Sequence, residues 1–238
     1  MKKRQKNPYK ELEKILNYTF KSKKKLHLAL THSSYKNEIA AQNPSIQAIQ
    51  DNERLEFLGD TVLSFVISKE LFSTFPEHPE GKLSKFRSIL VSKNHLFKVA
   101  KELKLIKHLH LGKSEKQGRI SDKSNILADS LEAIIAAIYL DGGMKNAERF
   151  ILDTFGKYIT VKRLALLDRN YKSMLQEYAQ KKYKTLPIYT TFFKKDLFQS
   201  SVSITKSKKA KGTGKNKREA EQAAAKMLLR KVKKKKQK

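Results

Sequence analysis

Three carboxylates, Glu53, Glu56 and Asp60, stand in the run Asn52-Glu-Arg-Leu-Glu-Phe-Leu-Gly-Asp60, which continues straight into Thr61-Val-Leu-Ser-Phe-Val-Ile67. Their spacings of three and four residues put all three on one face of a helix. Acids on a helix that must otherwise be buried are costly unless something cationic neutralises them. A second segment repeats the pattern. In Ile126-Leu-Ala-Asp-Ser-Leu-Glu-Ala-Ile-Ile-Ala-Ala-Ile-Tyr-Leu140 only Asp129 and Glu132 are charged, again one helical turn apart. Two apolar helices that each present acids one turn apart imply a divalent metal held between them, and oxygen ligands of this kind suit Mg²⁺ or Mn²⁺.

Composition indicates what such a site would act on. The 238-residue chain carries 52 Lys and Arg against 23 Asp and Glu, a formal charge of +29. A balance this basic points to nucleic acid or an anionic membrane surface. No apolar run approaches the roughly 18 residues of a spanning helix. The start, Met1-Lys-Lys-Arg-Gln-Lys-Asn-Pro8, is basic but has no apolar segment behind it, so no signal peptide is expected. Cysteine is absent, which excludes disulfides, thiol nucleophiles and cysteine-ligated zinc and is compatible with the cytosol. Nucleic acid is the better partner.

The elements that must position the acids are helical. Up to about Thr160 apolar residues recur at helical spacing, and strand-like alternation is rare. Asp141-Gly-Gly143 supplies the glycines expected past a helix end, and Pro76-Glu-His-Pro-Glu-Gly81 is a turn cluster. The character changes after residues 161–169, read as a linker. Residues 170–238 hold 21 basic and 4 acidic side chains, so more than half of the net charge lies in less than a third of the chain. Their order is a helix at Tyr171–Gln180, strands at Ile188–Phe193, Phe198–Thr205 and Ala210–Gly214, then a helix from Lys217 to Lys231. The expected fold is mainly α. An all-helical domain over 1–160 precedes a small α-β-β-β-α domain over 170–233, with a basic tail at 234–238.

Glu53-Arg-Leu-Glu-Phe-Leu-Gly-Asp60 resembles the signature of ribonuclease III, the endonuclease that cuts double-stranded RNA. Similar motifs follow in that family's order: Leu30-Thr-His-Ser33 upstream, then Gly81-Lys-Leu-Ser-Lys-Phe-Arg87, Leu111-Gly-Lys113 and Ile126-Leu-Ala-Asp-Ser-Leu-Glu-Ala133 running on to Tyr139-Leu-Asp-Gly-Gly143. The C-terminal unit resembles the family's double-stranded RNA-binding domain through Leu175-Gln-Glu-Tyr178, Gly212-Thr-Gly-Lys215 and Lys217-Arg-Glu-Ala-Glu-Gln-Ala-Ala-Ala225. The likeness spans about residues 10–232. It implies a cytoplasmic, Mg²⁺-dependent endoribonuclease, with Mn²⁺ as a substitute, acting on precursors of rRNA and mRNA. It further implies a homodimer formed through the signature helix, with apolar contact from Phe57, Leu58 and Phe65.

By the same resemblance Glu56, Asp129 and Glu132 are the metal ligands. Asp60 and Glu132 are the catalytic pair that organises the attacking water, leaving 5′-phosphate and 3′-hydroxyl ends. Glu53 is a candidate accessory acid, or simply an acid that favours the helix start. Gln176 and Glu177 match residues that face the RNA minor groove. Lys215, Lys217 and Arg218, at the start of the last helix, match phosphate contacts, where side-chain charge and helix dipole both favour an anion. An alternative function is a duplex-binding protein that has lost cleavage, but such a protein would be free to lose the acids, and all are present.

Other residues carry less. His32 reads as a structural hydrogen-bonding residue, and His108-Leu-His110 as surface. Ser33, Ser34 and Ser130 have no paired base. The run Lys233 to Lys236 reads as a solvated tail. Departures from the family are the short Phe193-Lys-Lys-Asp-Leu-Phe198 loop, which lacks the usual Gly-Pro-x-His, the long stretch between Tyr35 and Asn52, and a rearranged segment from Gly118-Arg119.

Overall fold

The computed structural model describes residues 7–43, 50–117, 119–167, 170–194 and 196–234. The chain divides after Leu167 into two compact units with separate apolar cores. The first is helical: α1 (Lys10–Ile15), α2 (Lys23–Ala29), α3 (Ser33–Gln42), α4 (Glu53–Thr74), α5 (Glu80–Leu90), α6 (Lys93–Glu102), α7 (Lys113–Lys116), α8 (Ser124–Gly142), α9 (Met144–Phe155) and α10 (Val161–Leu167). Short 3₁₀ turns occur at Leu105–Lys107, Ile120–Lys123 and Gly156–Tyr158.

Helix α8 is the axis of this unit. Leu127, Ala128 and every residue from Ser130 to Ile138 are buried, as expected of a helix apolar on all sides. Its neighbours α4, α6, α9 and α2 supply the surrounding layer. Helix α4 buries Leu55, Val62, Leu63, Val66, Ile67 and Leu71 at three- and four-residue spacings and turns its opposite face outward. The α4–α8 pair is the most extensive helix packing in the unit, and Gly59 is why it is so close. A β-carbon there would stand 1.8 Å from the Glu132 carbonyl oxygen, so only glycine lets the two backbones meet.

The buried Asp141 is tied down, as burial demands, whereas both ring nitrogens of buried His95 lack a hydrogen-bond partner among the described residues. The Asp141 carboxylate, near the end of α8, accepts from the Lys21 and Ser22 backbone N–H groups at 2.7 and 3.0 Å and from the Tyr18 hydroxyl at 2.9 Å. It thus pins the backbone of Lys21 and Ser22, which leads into α2, to the end of α8. Helix α8 ends where Gly143 takes φ 77°.

Two sequence expectations change here. Residues 161–167, read as linker, form α10, and Leu164 is fully buried in the first core; that burial explains the apolar run. Residues 168–169 lie outside the described residues. His108 and His110, read as surface, are half-buried. The His110 ring lies 4.6 Å from that of His27, and its backbone N–H donates to Leu30 at 2.8 Å in a short parallel bridge. Of the long 35–52 stretch, residues 44–49 are outside the described residues, as are Gly118 and residues 235–238 of the tail.

The second unit is α11 (Tyr171–Tyr183), β1 (Ile188–Lys194), β2 (Leu197–Thr205), β3 (Lys208–Gly214) and α12 (Lys217–Lys234), with an antiparallel sheet in the order β1-β2-β3. Alternation along β2 turns Ser200, Val202 and Ile204 toward the helices. Strand β3 lies against α12 because residue 212 is glycine; a β-carbon there would come within 2.2 Å of the Ala224 nitrogen. The core is small: Leu175, Ala179, Val202, Ala224, Ala225 and Leu228 are its most buried members. A polar tie assists it. Glu221, 8 % exposed, accepts from Lys172, and Thr191 bridges Glu221 to Ser200.

Candidate active site and RNA-facing residues

The close α4–α8 crossing brings the two acidic motifs together. One carboxylate oxygen each from Glu56, Asp129 and Glu132 can be chosen so that all lie within 4.8 Å of one another. Glu132 is 5 % exposed, whereas Glu56 and Asp129 are half-buried. Burial, followed by the charges of Asp60, Glu56 and Asp129, pushes the Glu132 carboxyl up to about 8. Burial and then the Asp129 charge raise Glu56 as well. A pocket that disfavours its own negative charges is one that a cation stabilises, and three hard oxygen donors fit Mg²⁺ or Mn²⁺.

Asp60 and Glu53 share the α4 face but lie outside the trio, and both are exposed. Asp60 is near enough that its charge is the largest influence on Glu132 after burial. Glu53 begins α4, where its backbone N–H donates to Asp51 at 3.3 Å, and its charge has only a minor effect on Glu56.

Supporting contacts come from residues other than the motif carboxylates. Asn52, 3 % exposed, donates its backbone N–H to the Thr31 carbonyl at 2.9 Å and reaches Ala29 and Ser130 with its amide at 3.3 and 3.5 Å. It fixes the start of α4 against α8. His32 caps α3 by accepting from the Ser34 N–H at 3.2 Å and takes no part in the trio. Lys93 was missed by sequence reasoning. Its ammonium donates to Asp129 Oδ1 at 2.8 Å and lies 3.7 Å from Glu56 Oε1. The only sequence signal is a lysine opening a helix, where the dipole disfavours a cation.

Phe57, Phe65 and Phe72 project from the outer face of α4, 79 %, 57 % and 73 % exposed. Leu58, expected beside them, packs instead on the core.

In the second unit Gln176 and Glu177 lie on the exposed side of α11, and Lys215, Lys217 and Arg218 are exposed at the start of α12. The helix end itself is already capped. Asn216 accepts from the Glu219 N–H at 2.9 Å, and Glu219 accepts from the Lys215 N–H at 3.0 Å. Anion attraction there therefore falls to the cationic side chains more than to the backbone donors. Strands β1 and β2 stay paired to Lys194↔Leu197, which leaves two residues for the turn, Asp196 with φ 58° and residue 195, outside the described set.

Comparison with known proteins agrees with this geometry. Residues 22–159 match the family described as Ribonuclease-III-like, and residues 171–232 match the double-stranded RNA binding motif. A protein named Ribonuclease 3 from Syntrophobacter fumaroxidans is 40 % identical over 227 residues, covering 92 % of each chain. The Ribonuclease 3 of Borreliella burgdorferi is 40 % identical over 212 residues, 86 % of this chain and 83 % of that one. Among solved structures, the nuclease domain of ribonuclease III from Campylobacter jejuni superposes with a TM-score of 0.56 at 38 % identity, covering 65 % of this chain and 97 % of that domain. Both halves of the molecule and most of the length of its relatives thus agree, and the chain belongs to the ribonuclease III family, as an endoribonuclease that hydrolyses double-stranded RNA.

Proposed function

We propose that Glu56, Asp129 and Glu132 hold one divalent ion, Mg²⁺ with Mn²⁺ as substitute, and that Asp60 and Glu132 act as the catalytic pair. The observation that carries this reading is the trio itself: acids from two helices converge where Glu132 is buried and its charge disfavoured. A bound ion would offset the charge of the scissile phosphate and acidify a water for in-line attack. Asp60, exposed on the same face, would help orient that water. Glu132, ionised once the cation is bound, would help hold the ion and the attacking water together. Water attack needs no 2′-hydroxyl nucleophile and leaves 5′-phosphate and 3′-hydroxyl ends.

The second domain supplies duplex affinity through Gln176 and Glu177 toward the minor groove and Lys215, Lys217 and Arg218 toward phosphate. A-form RNA offers little else to read. Cutting both strands of a duplex calls for two sites related by a two-fold axis. The exposed Phe57, Phe65 and Phe72 face supports a homodimer, and a Campylobacter jejuni relative is described as having a region involved in dimer formation. Among the described residues no helix is long and apolar enough to cross a membrane. We place the activity in the cytoplasm, on rRNA and mRNA precursors, on the strength of the family resemblance and the cysteine-free sequence.

The test is incubation with a long RNA duplex, with and without Mg²⁺, beside single-stranded RNA and duplex DNA. Mg²⁺-dependent cutting of the RNA duplex alone, with 5′-phosphate ends, is expected. Cutting that proceeds equally in EDTA would refute the metal assignment.

A further inference from the structure

Lys93 is the first residue of α6, just after Ser92, whose hydroxyl caps the helix by accepting from the His95 N–H. His95, Leu96, Val99 and Ala100 are buried, and α6 packs on α8, so the backbone at Lys93 is fixed beside Asp129. The first turn of α6 contains no acid. A cation there opposes the helix dipole, so helix stability does not account for it. Its ammonium instead engages two of the three carboxylates of the trio, Asp129 at 2.8 Å and Glu56 at 3.7 Å.

We propose that Lys93 is a placeholder cation, which occupies the charge position of the divalent ion among the acids and must withdraw before the ion can bind. The proposal rests on the trio being the metal site. It adds that the chain carries its own competitor, and that this competitor sets the ion concentration at which the site fills. The chemistry suits the role. An ammonium offers only donors and a single charge, so it offsets the repulsion between Asp129 and Glu56 incompletely. Its side chain is 56 % exposed on a flexible stem, so it can swing into solvent without opening the core.

The experiment is calorimetric titration of the full chain with Mn²⁺, without RNA, for the wild type, Lys93→Met, Lys93→Gln and the double variant Glu56→Gln/Asp129→Asn. Lys93 is exposed, so neither single variant should fail to fold. Both should bind Mn²⁺ about fivefold more tightly, as removal of one solvent-facing ion pair predicts. The gain should shrink but not vanish at about 0.5 M KCl, because salt screens an exposed pair only in part at contact distance. Unchanged or weaker binding, or a gain that vanishes in that salt, would overturn the proposal. If the double variant loses Mn²⁺ binding while Lys93→Met is unchanged, the lysine's role alone is wrong. If the double variant still binds Mn²⁺ normally, the metal-site reading fails as well.

Discussion

Replacing Glu132 by Gln should do two opposite things: abolish cleavage and stabilise the metal-free protein. The carboxyl is 5 % exposed, faces Asp60, Glu56 and Asp129, and titrates in the folded state at about 8 against an ordinary 4.5. A carboxyl whose folded pKa is raised favours folding fully below the unfolded value, and that contribution is lost as pH rises through the folded value. Between pH 4.5 and 8 the wild type should therefore lose stability that Glu132→Gln, neutral throughout, keeps. At about 1.4 kcal/mol per pH unit the ceiling is about 5 kcal/mol. Outward relaxation of the exposed neighbours lowers our expectation to about 2–4 kcal/mol, or about 5–10 °C in Tm for a unit of this size. The assay is thermal unfolding of both proteins in EDTA from pH 5 to 8.5. Buried His95, lowered to about 4, has the opposite sign: its contribution is lost as pH falls from 6.5 through 4. Because both proteins contain it, the difference between them isolates Glu132. Excess Mg²⁺ should then raise the Tm of the wild type and leave the variant unmoved. A Glu132→Gln protein less stable than wild type in EDTA at pH 8, or one that still cleaves, would refute the reasoning.

Gly59→Ala should cost about 1–3 kcal/mol in urea unfolding, as overpacking does, and should also weaken Mn²⁺ binding, because α4 cannot move from α8 without separating Glu56 from Glu132. Wild-type stability in that variant would mean the crossing is looser than described. Phe57→Glu with Phe65→Glu should convert a dimer into a species of 27.4 kDa in sedimentation at micromolar concentration; a wild type that is already monomeric, with or without RNA, would remove the premise. Alanine at Lys215, Lys217 and Arg218 should lower the log–log salt slope of duplex binding by about one for each phosphate no longer neutralised, with intrinsic cutting retained at low salt. An unchanged slope would assign phosphate binding to other side chains.

Much of this protein is legible in one dimension. Helical spacing separates the buried and exposed faces of α4, and an all-round apolar run marks α8 as the axis. The acids Glu53, Glu56, Asp60, Asp129 and Glu132 stand out because charge inside such runs demands a partner, and the family resemblance singles out Glu56, Asp129 and Glu132 among them as ligands. The strands of the second domain declare themselves through alternation and β-branched residues, correct to within two residues at each end. These signals are local: they depend on which face of an element a residue occupies, and sequence spacing fixes that. What spacing cannot give is the approach of one element to another. Gly59 reads as an ordinary glycine until the Glu132 carbonyl is seen against it. Leu164 reads as linker until the first core closes over it, and His110 as surface until the His27 ring packs at a tilt against its own. Lys93 lies 36 residues from Asp129 in sequence yet 2.8 Å from it in space. Asp60 and Glu132 differ in the same way, as two motif acids of which the α8 packing buries one and leaves the other in solvent. Sequence names the charges, but their pKa values and partners follow from desolvation and distance, and those exist only once the helices have packed.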